Sequence, residues 1–194
     1  MSQGNALGER ASHDAARTGA DVKGFKETGR SRYITDSEFD QVKAHAHFTV
    51  VDAMDLALLT GQRPADVLKL KRSDIRDGAL WIVQNKTGAR LGIEVTGELA
   101  AAIARINERP RRAISAYFIQ DENGQPLTQF ALRSRFDKAR KLAKVDFQFR
   151  DIRAKAATDT GDLAHSQKLL AHKNREMTEH YVKSRVGERV KPLR

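Results

Sequence analysis

Apolar positions fall into regular periods only from about residue 34 onward. "ITDSEFDQVKAHA" opens with Thr35 and Asp36, either of which can cap a helix, and Glu38 or Asp40 suits its first turns. "FTVVDAMDLALLTG" is apolar on nearly every side, which predicts a buried central helix ending at Gly61. "QRPADVLKLKRSDI" then predicts a short helix with Pro64 in its first turn. "ALWIVQ" and "RLGIEV" are β-prone and joined by "NKTGA", the pattern of a small antiparallel hairpin. From Gly97, "ELAAAIARINER" reads as a helix stopping before Pro110. "AISAYFI" is a short apolar run ended by the turn "QDENGQP". "TQFALRSRFDKARKLAKV" spaces Phe130, Leu132, Phe136, Ala139, Leu142 and Ala143 as one helical face. Shorter helices follow through "RDIRAKAATDT", "SQKLLAH" and "MTEHYV".

The fold class expected is mainly α with one small antiparallel β-hairpin or sheet. Residues 1–33 carry few large apolar side chains and no sustained period, so they read as a flexible arm or linker. The 194-residue length suits one ordinary domain with an appended arm. The formal charge of +10 and pI near 10 favour a polyanionic partner, with nucleic acid leading because no single basic amphipathic helix points to a membrane surface. Absence of cysteine excludes disulfides and thiolate metal sites. No apolar run approaches ~20 residues and no signal peptide is visible, so a cytosolic location is expected.

Cations are unevenly spread. Between Arg133 and Lys155 stand nine Lys or Arg against Asp137, Asp146 and Asp151, a density that suits phosphate-backbone contact as well as a solvated helix face. Arg63 sits between two predicted helices, and Arg153 lies among Phe147, Phe149, Ile152 and Ala156. A desolvated arginine needs an anion: either a structural carboxylate such as Asp66 or Asp151, or a bound phosphate gripped in bidentate fashion. His45 and His47 would diverge on a helix and make an improbable metal pair; His165 reads as a loop or cap residue and His180 as a surface one. Tyr33 and Tyr117 read as packing residues, and Asp74 with Asp77 as a turn before the hairpin. Tyr181 differs from the other tyrosines, because Lys173, Arg175, His172 and His180 precede it closely. A phenol has a pKa near 10, and neighbouring positive charge favours the phenolate nucleophile. Asn174 is expected to break the helix between His172 and Tyr181, letting both turn towards one group.

"TGQRPADVLKLKRSDI", "QNKTGARLGIEV", "FRDIRAKAATDT" and "LLAHKNREMTEHYV" occur in the order and approximate spacing of the tyrosine recombinase (phage integrase) catalytic domain, which the chain resembles from about Tyr33 to Tyr181. The resemblance places the family's first arginine on Arg63, its hairpin lysine on Lys86 and its second arginine on Arg153. The histidine of its "LGH" motif falls on His172, written "LAH" here, and the nucleophile on Tyr181. Asp66 matches a supporting acidic position. One position departs: the family's H-x-x-R becomes Arg150-Asp-Ile-Arg153, and an arginine cannot act as a base near neutral pH.

The resemblance implies that Tyr181 attacks a DNA phosphodiester, that Arg63 and Arg153 bind the non-bridging oxygens, and that Lys86 protonates the leaving 5′-oxygen. His172 would bond the phosphate or manage the nucleophile's proton, and Arg150 would contact the phosphate. No cofactor, ATP or metal is needed for this chemistry. The domain layout expected is an arm over 1–33, a catalytic domain over 34–183 and a basic tail over 184–194. Expected partners are double-stranded DNA, further protomers forming a tetramer on two DNA sites in a longer protein, and accessory DNA-bending proteins of phage or host, with the protein in the cytoplasm of a bacterial host. Two alternatives stand beside this: a DNA-binding protein that keeps the fold without cleaving, and a type IB topoisomerase-like or resolvase enzyme.

Overall fold

The structure, a computed structural model, describes residues 32–109 and 115–186, the side chains of 180, 181 and 183–186 excepted. The expected arm lies outside the described residues apart from Arg32 and Tyr33, and so does the expected tail beyond residue 186. The first helix, α1 (Asp36–His45), begins where the sequence puts its cap. Thr35 accepts from the Glu38 amide, and Glu38 reaches back to the Thr35 amide at 3.0 Å. Helix α2 (Phe48–Thr60) is capped by the His47 imidazole and closed by Gly61 in the left-handed conformation, φ 63°. Thus His45 and His47 belong to different helices, and each ring bonds locally, His45 to the Gln41 carbonyl and His47 to Thr49.

α2 is the centre of the domain, packed on α4 (Gly97–Glu108) and α6 (Ile152–Asp159). Val50, Ala53, Met54, Leu56 and Ala57 are fully buried. Its two aspartates are buried too, and neutralised: Arg109 grips Asp52 with two bonds of 2.8 and 2.9 Å, while Arg105 and Lys43 both reach Asp55 at 2.7 Å. Paired in this way, carboxylates can sit inside an otherwise apolar helix bundle.

Between α2 and α4 come α3 (Pro64–Leu68) and a three-stranded antiparallel sheet in the order β1 (Ile75–Arg76), β2 (Ala79–Val83), β3 (Arg90–Glu94). The sequence reading anticipates β2 and β3 but not β1, a two-residue strand too short to show a period. Asp77 and Gly78 link β1 to β2 with φ of 51° and 74°, the positive pair that a two-residue hairpin turn of matching twist requires. Asp74 instead accepts the Lys71 amide in a short 3-10 turn. Leu80 and Ile82 face the core while Trp81 and Val83 face out, and Gly92 lies opposite Trp81.

Helix α5 (Gln129–Leu142) buries Leu132, Phe136 and Ala139, with Phe136 edge-on to Phe147 and Phe149. Phe130 and Leu142, expected on the same face, are 83 % and 55 % exposed. Each is too far around the 100° per residue helical wheel from the 132–136–139 stripe to share it. α7 (Leu163–Leu170) and α8 (Arg175–Val186) complete the fold against α6. His165 lies within α7 and is exposed, because Asp162 takes the cap position ahead of it.

Tyr33 is more than packing. Its hydroxyl donates to Asp159 at 2.7 Å, and its ring lies 5.0 Å from the Lys155 ammonium. Lys155 also pairs with Asp36 at 2.5 Å and Asp159 at 2.9 Å. Burial disfavours the charge on Lys155, but the bonds to Asp36 and Asp159 outweigh it and raise its pKa above the ordinary lysine value. The segment entering α1 is thereby tied to α6. Tyr117 is half-buried beneath the Lys71 ammonium.

Candidate active site

The site starts where α2 ends. A Cβ at Gly61 would fall 3.1 to 3.3 Å from the side chains of Leu169 and Leu170, so glycine serves both the backbone turn and the close approach of α7. Arg63 follows as the N-cap of α3, with Pro64 supplying the fixed φ of the first turn. Its guanidinium donates to Gln84 Oε1 at 3.4 Å.

Arg153 rises from α6, which continues out of a 3-10 turn over Phe149–Asp151. It is only 4 % exposed. Its Nη1 donates to the Gly61 carbonyl at 2.5 Å and its Nη2 to the Leu170 carbonyl at 2.7 Å. Both carbonyls end helices, where the helix dipole is negative, so the cation is held by two C-termini. Asp66 and Asp151 are committed to other donors. Asp66 Oδ1 accepts the Asn85 amide at 2.8 Å and lies 3.4 Å from Lys69 Nζ, and Asp151 accepts the Gln148 amide at 2.8 Å.

The helix break expected at Asn174 starts earlier and spans residues 171–174. Ala171 takes the left-handed conformation at φ 50°, and the His172 amide bonds the Gln167 carbonyl at 3.1 Å, which turns the chain sharply out of α7. His172 consequently faces Arg153, with Nε2 3.3 Å from Nη2. A guanidinium only donates, so Nε2 is the accepting nitrogen and Nδ1 carries the proton, donated to Thr178 Oγ1 at 3.0 Å. Burial, then the charge of Arg153, then that of Arg63 hold the His172 pKa down to about 4. The imidazole is therefore neutral at physiological pH.

Arg63, Arg153 and His172 are thus brought to one place. Lys86 stands exposed on the β2–β3 turn, two residues past Gln84. The root of that turn is clamped by Asp66, through the Asn85 amide, and by Lys69, which bonds the Val83 carbonyl and Asn85 Oδ1. Arg150 is exposed and lines a cavity together with Phe130, Arg133, Gln148 and Pro64, the residue that follows Arg63. Tyr181 falls on α8, three residues beyond Thr178; its side chain lies outside the described residues. Sequence reasoning missed Gln62, Gln84, Thr87 and Lys69. A buried glutamine carries no periodic signal, and only the tertiary contacts show what these residues do.

Two guanidiniums, with the Lys86 ammonium on the turn that follows Gln84, suit one tetrahedral anion because each offers donors where oxygen charge accumulates, while the neutral imidazole presents Nε2 as an acceptor. Among the described residues no group of three His, Asp or Glu stands together as a metal site.

Several known proteins are similar to this chain in sequence and in fold. The integrase of Escherichia phage HK022 is 36 % identical over 149 residues, covering 70 % of this chain and 42 % of that protein. The prophage integrase IntE of Escherichia coli K12 is 32 % identical over 155 residues, covering 70 % of this chain and 41 % of that protein. The chain thus spans about two fifths of the length of these relatives. A lambda integrase tetramer bound to a Holliday junction superimposes with a TM-score of 0.71 at 26 % identity, over 83 % of this chain and 50 % of that one. The family model described as the phage integrase family matches residues 35–188, and the chain belongs to that family.

Proposed function

We propose that this chain is the catalytic part of a site-specific DNA recombinase that breaks and rejoins strands through Tyr181. The single observation that carries the reading is the convergence of Arg63, Arg153 and a neutral His172 at the ends of α2 and α7. In the proposed step the Tyr181 oxygen attacks a DNA phosphorus, the bond to the 5′-oxygen breaks, and a 3′-phosphotyrosyl ester forms. Lys86 gives its proton to the departing 5′-oxygen. Arg63 and Arg153 stabilise the non-bridging oxygens as their charge grows. The reverse attack by a 5′-hydroxyl from another strand reseals the backbone, and the ester retains the bond energy, so no nucleotide is consumed.

His172 is a weak base in the free protein because it is buried and because two guanidiniums face it. A bound phosphate offsets those charges, which raises the basicity of Nε2 and lets it take the phenolic proton within the complex. Arg150, exposed in a cavity that Pro64 also lines, contacts the phosphate as a donor, not as a base. Asp66 supports the site by holding the root of the Lys86 turn.

The catalytic domain begins near residue 34, with the arm before it and the basic tail after 183 belonging to assembly. The partners are double-stranded DNA and further protomers, four of them on two sites in a complete recombinase, with accessory DNA-bending proteins of phage or host; the work takes place on DNA in the bacterial cell. Among the described residues no helix is long and apolar enough to cross a membrane.

The test incubates the chain, and any longer polypeptide that carries it, with nicked DNA bearing the attachment site. A covalent protein–DNA adduct should form, vanish in Tyr181→Phe, weaken in Arg150→Ala and persist in Arg150→His. No adduct on the correct site would favour a DNA-binding protein that keeps the fold without cleavage. Equal adduct in Arg150→Ala, Arg150→His and the parent would remove Arg150 from the phosphate.

A further inference from the structure

Two buried glutamines lie between the cationic groups of the site. Gln62 and Gln84 are each 1 % exposed. Gln84 accepts from Arg63 Nη1 at 3.4 Å and from Thr87 Oγ1 at 2.8 Å, and its amide donates to Gln62 Oε1 at 2.9 Å and to the Leu170 carbonyl at 3.1 Å. Gln62 donates to the Thr60 carbonyl at 2.8 Å and the Leu169 carbonyl at 3.2 Å. The Leu170 carbonyl is the same one that Arg153 Nη2 holds. A continuous path therefore runs from the Arg63 guanidinium through Gln84 to Leu170 and on to Arg153. Gln62 stitches the Thr60–Arg63 segment to the end of α7, two residues before His172.

Only glutamine's amide can do this at position 84. The group must accept from a cation and a hydroxyl on its oxygen while donating twice from its nitrogen, and here all four contacts are made. A fully satisfied buried network of this kind fixes geometry, because any shift of one member leaves another unpaired. The Arg63 side chain has several rotatable bonds and one end exposed to the site, so it needs such an anchor to meet the phosphate in one pose.

We propose that Gln84, supported by Gln62, is a positioning residue that sets the Arg63 guanidinium relative to Arg153 and thereby the phosphate pocket. The kinetic arm of its test rests on the strand-cleavage reading; the spectroscopic arm does not. In the DNA-free chain, the side-chain N–H signals of Arg63 and Arg153 are recorded by nuclear magnetic resonance for the parent, Gln84→Met, Gln84→Glu, Gln62→Met and the double methionine variant. Gln84→Met, close in shape but without the amide, should shift the Arg63 signal and hasten its exchange with water. Gln84→Glu keeps the acceptor, so the Arg63 signal should stay protected while that of Arg153 moves. In single-turnover adduct formation at saturating DNA, Gln84→Met should slow the rate by roughly 10- to 100-fold, the scale of a misplaced reacting group. DNA affinity should stay within about twofold, and the double variant should be no slower than Gln84→Met alone, as expected for residues acting as one unit. An unmoved Arg63 signal in folded Gln84→Met, or a cleavage rate equal to the parent's, would overturn the proposal. Should Gln84→Met not fold, Gln84→Glu and Gln62→Met decide: unchanged arginine signals in both would overturn it. A parent that forms no adduct while its Arg63 signal depends on Gln84 would refute strand cleavage and leave the positioning role supported.

Discussion

Arg153→Lys separates a residue that merely binds substrate from one that also holds the fold. The guanidinium serves two carbonyls with two nitrogens, Gly61 at 2.5 Å and Leu170 at 2.7 Å, which lie at the ends of different helices. A lysine has one nitrogen on a shorter reach, so it cannot hold the two carbonyls from two separate nitrogens as the guanidinium does, and at least one of these bonds is lost or lengthened. The Leu170 carbonyl keeps Gln84 as a partner, so the loss falls mainly on Gly61. A hydrogen bond from a charged donor contributes about 1.5–3 kcal/mol, and leaving a buried carbonyl short costs the same order. With a urea dependence of roughly 2 kcal/mol per molar, the unfolding midpoint should fall by about 1 M. Urea titration followed by the fluorescence of the single tryptophan, Trp81, and by circular dichroism measures this directly. A residue retained only for phosphate binding would leave the midpoint of the DNA-free chain unchanged, since the lysine keeps the charge and no structural bond would be lost. A midpoint that is unchanged or raised, with the slope unaltered, would refute the structural role assigned to Arg153.

Ala171 holds φ 50°, where an L-residue costs about 1–2 kcal/mol relative to right-handed backbone. Ala171→Gly relieves that against a glycine entropy of about 0.5–1 kcal/mol, so a stability gain of up to about 1.5 kcal/mol and a rise of a few degrees in calorimetric Tm are expected. His172 has a folded pKa of about 4 against an ordinary 6.5. Between these values the unfolded chain binds more protons, so this contribution to stability is full above pH 6.5 and is lost as pH falls towards 4. The fall in the urea midpoint from pH 7.5 to pH 5 should therefore be smaller in His172→Asn than in the parent, and an imidazole titrating near 6.5 by nuclear magnetic resonance would contradict the burial argument. In Gly92→Ala the new Cβ would lie 3.1 Å from the Trp81 ring; the indole should move outward, red-shifting its fluorescence, with little loss of stability because Trp81 is already half exposed.

Much of this was legible before any coordinates, for reasons that differ by element. The cap of α1 and the Gly61 terminator of α2 are local backbone chemistry, so Thr35, Glu38 and Gly61 announce them, whereas the His47 cap of α2 is not anticipated. The buried α2 and the β2–β3 hairpin follow from hydrophobic period and turn residues. Arg63, Arg153 and His172 were legible because their order and spacing match a known family, and the structure adds the carbonyls and the tautomer that hold them. Phe130 and Leu142 misled because an apolar residue on a helix is not thereby on its buried stripe. Ala171, not Asn174, begins the break before α8, since the left-handed residue is set by the way α7 must turn His172 towards Arg153. Tyr33 looked like packing because its partners, Asp159 and Lys155, are more than a hundred residues away.

Identifying the amino acid that becomes joined to DNA tests the central claim most directly. After reaction with nicked attachment-site DNA, nuclease and trypsin digestion should yield the peptide from Glu176 to Lys183 carrying a 3′-phosphonucleotide on Tyr181, located by tandem mass spectrometry. A nucleotide found on Tyr33 or Tyr117, or on no tyrosine at all, would contradict it.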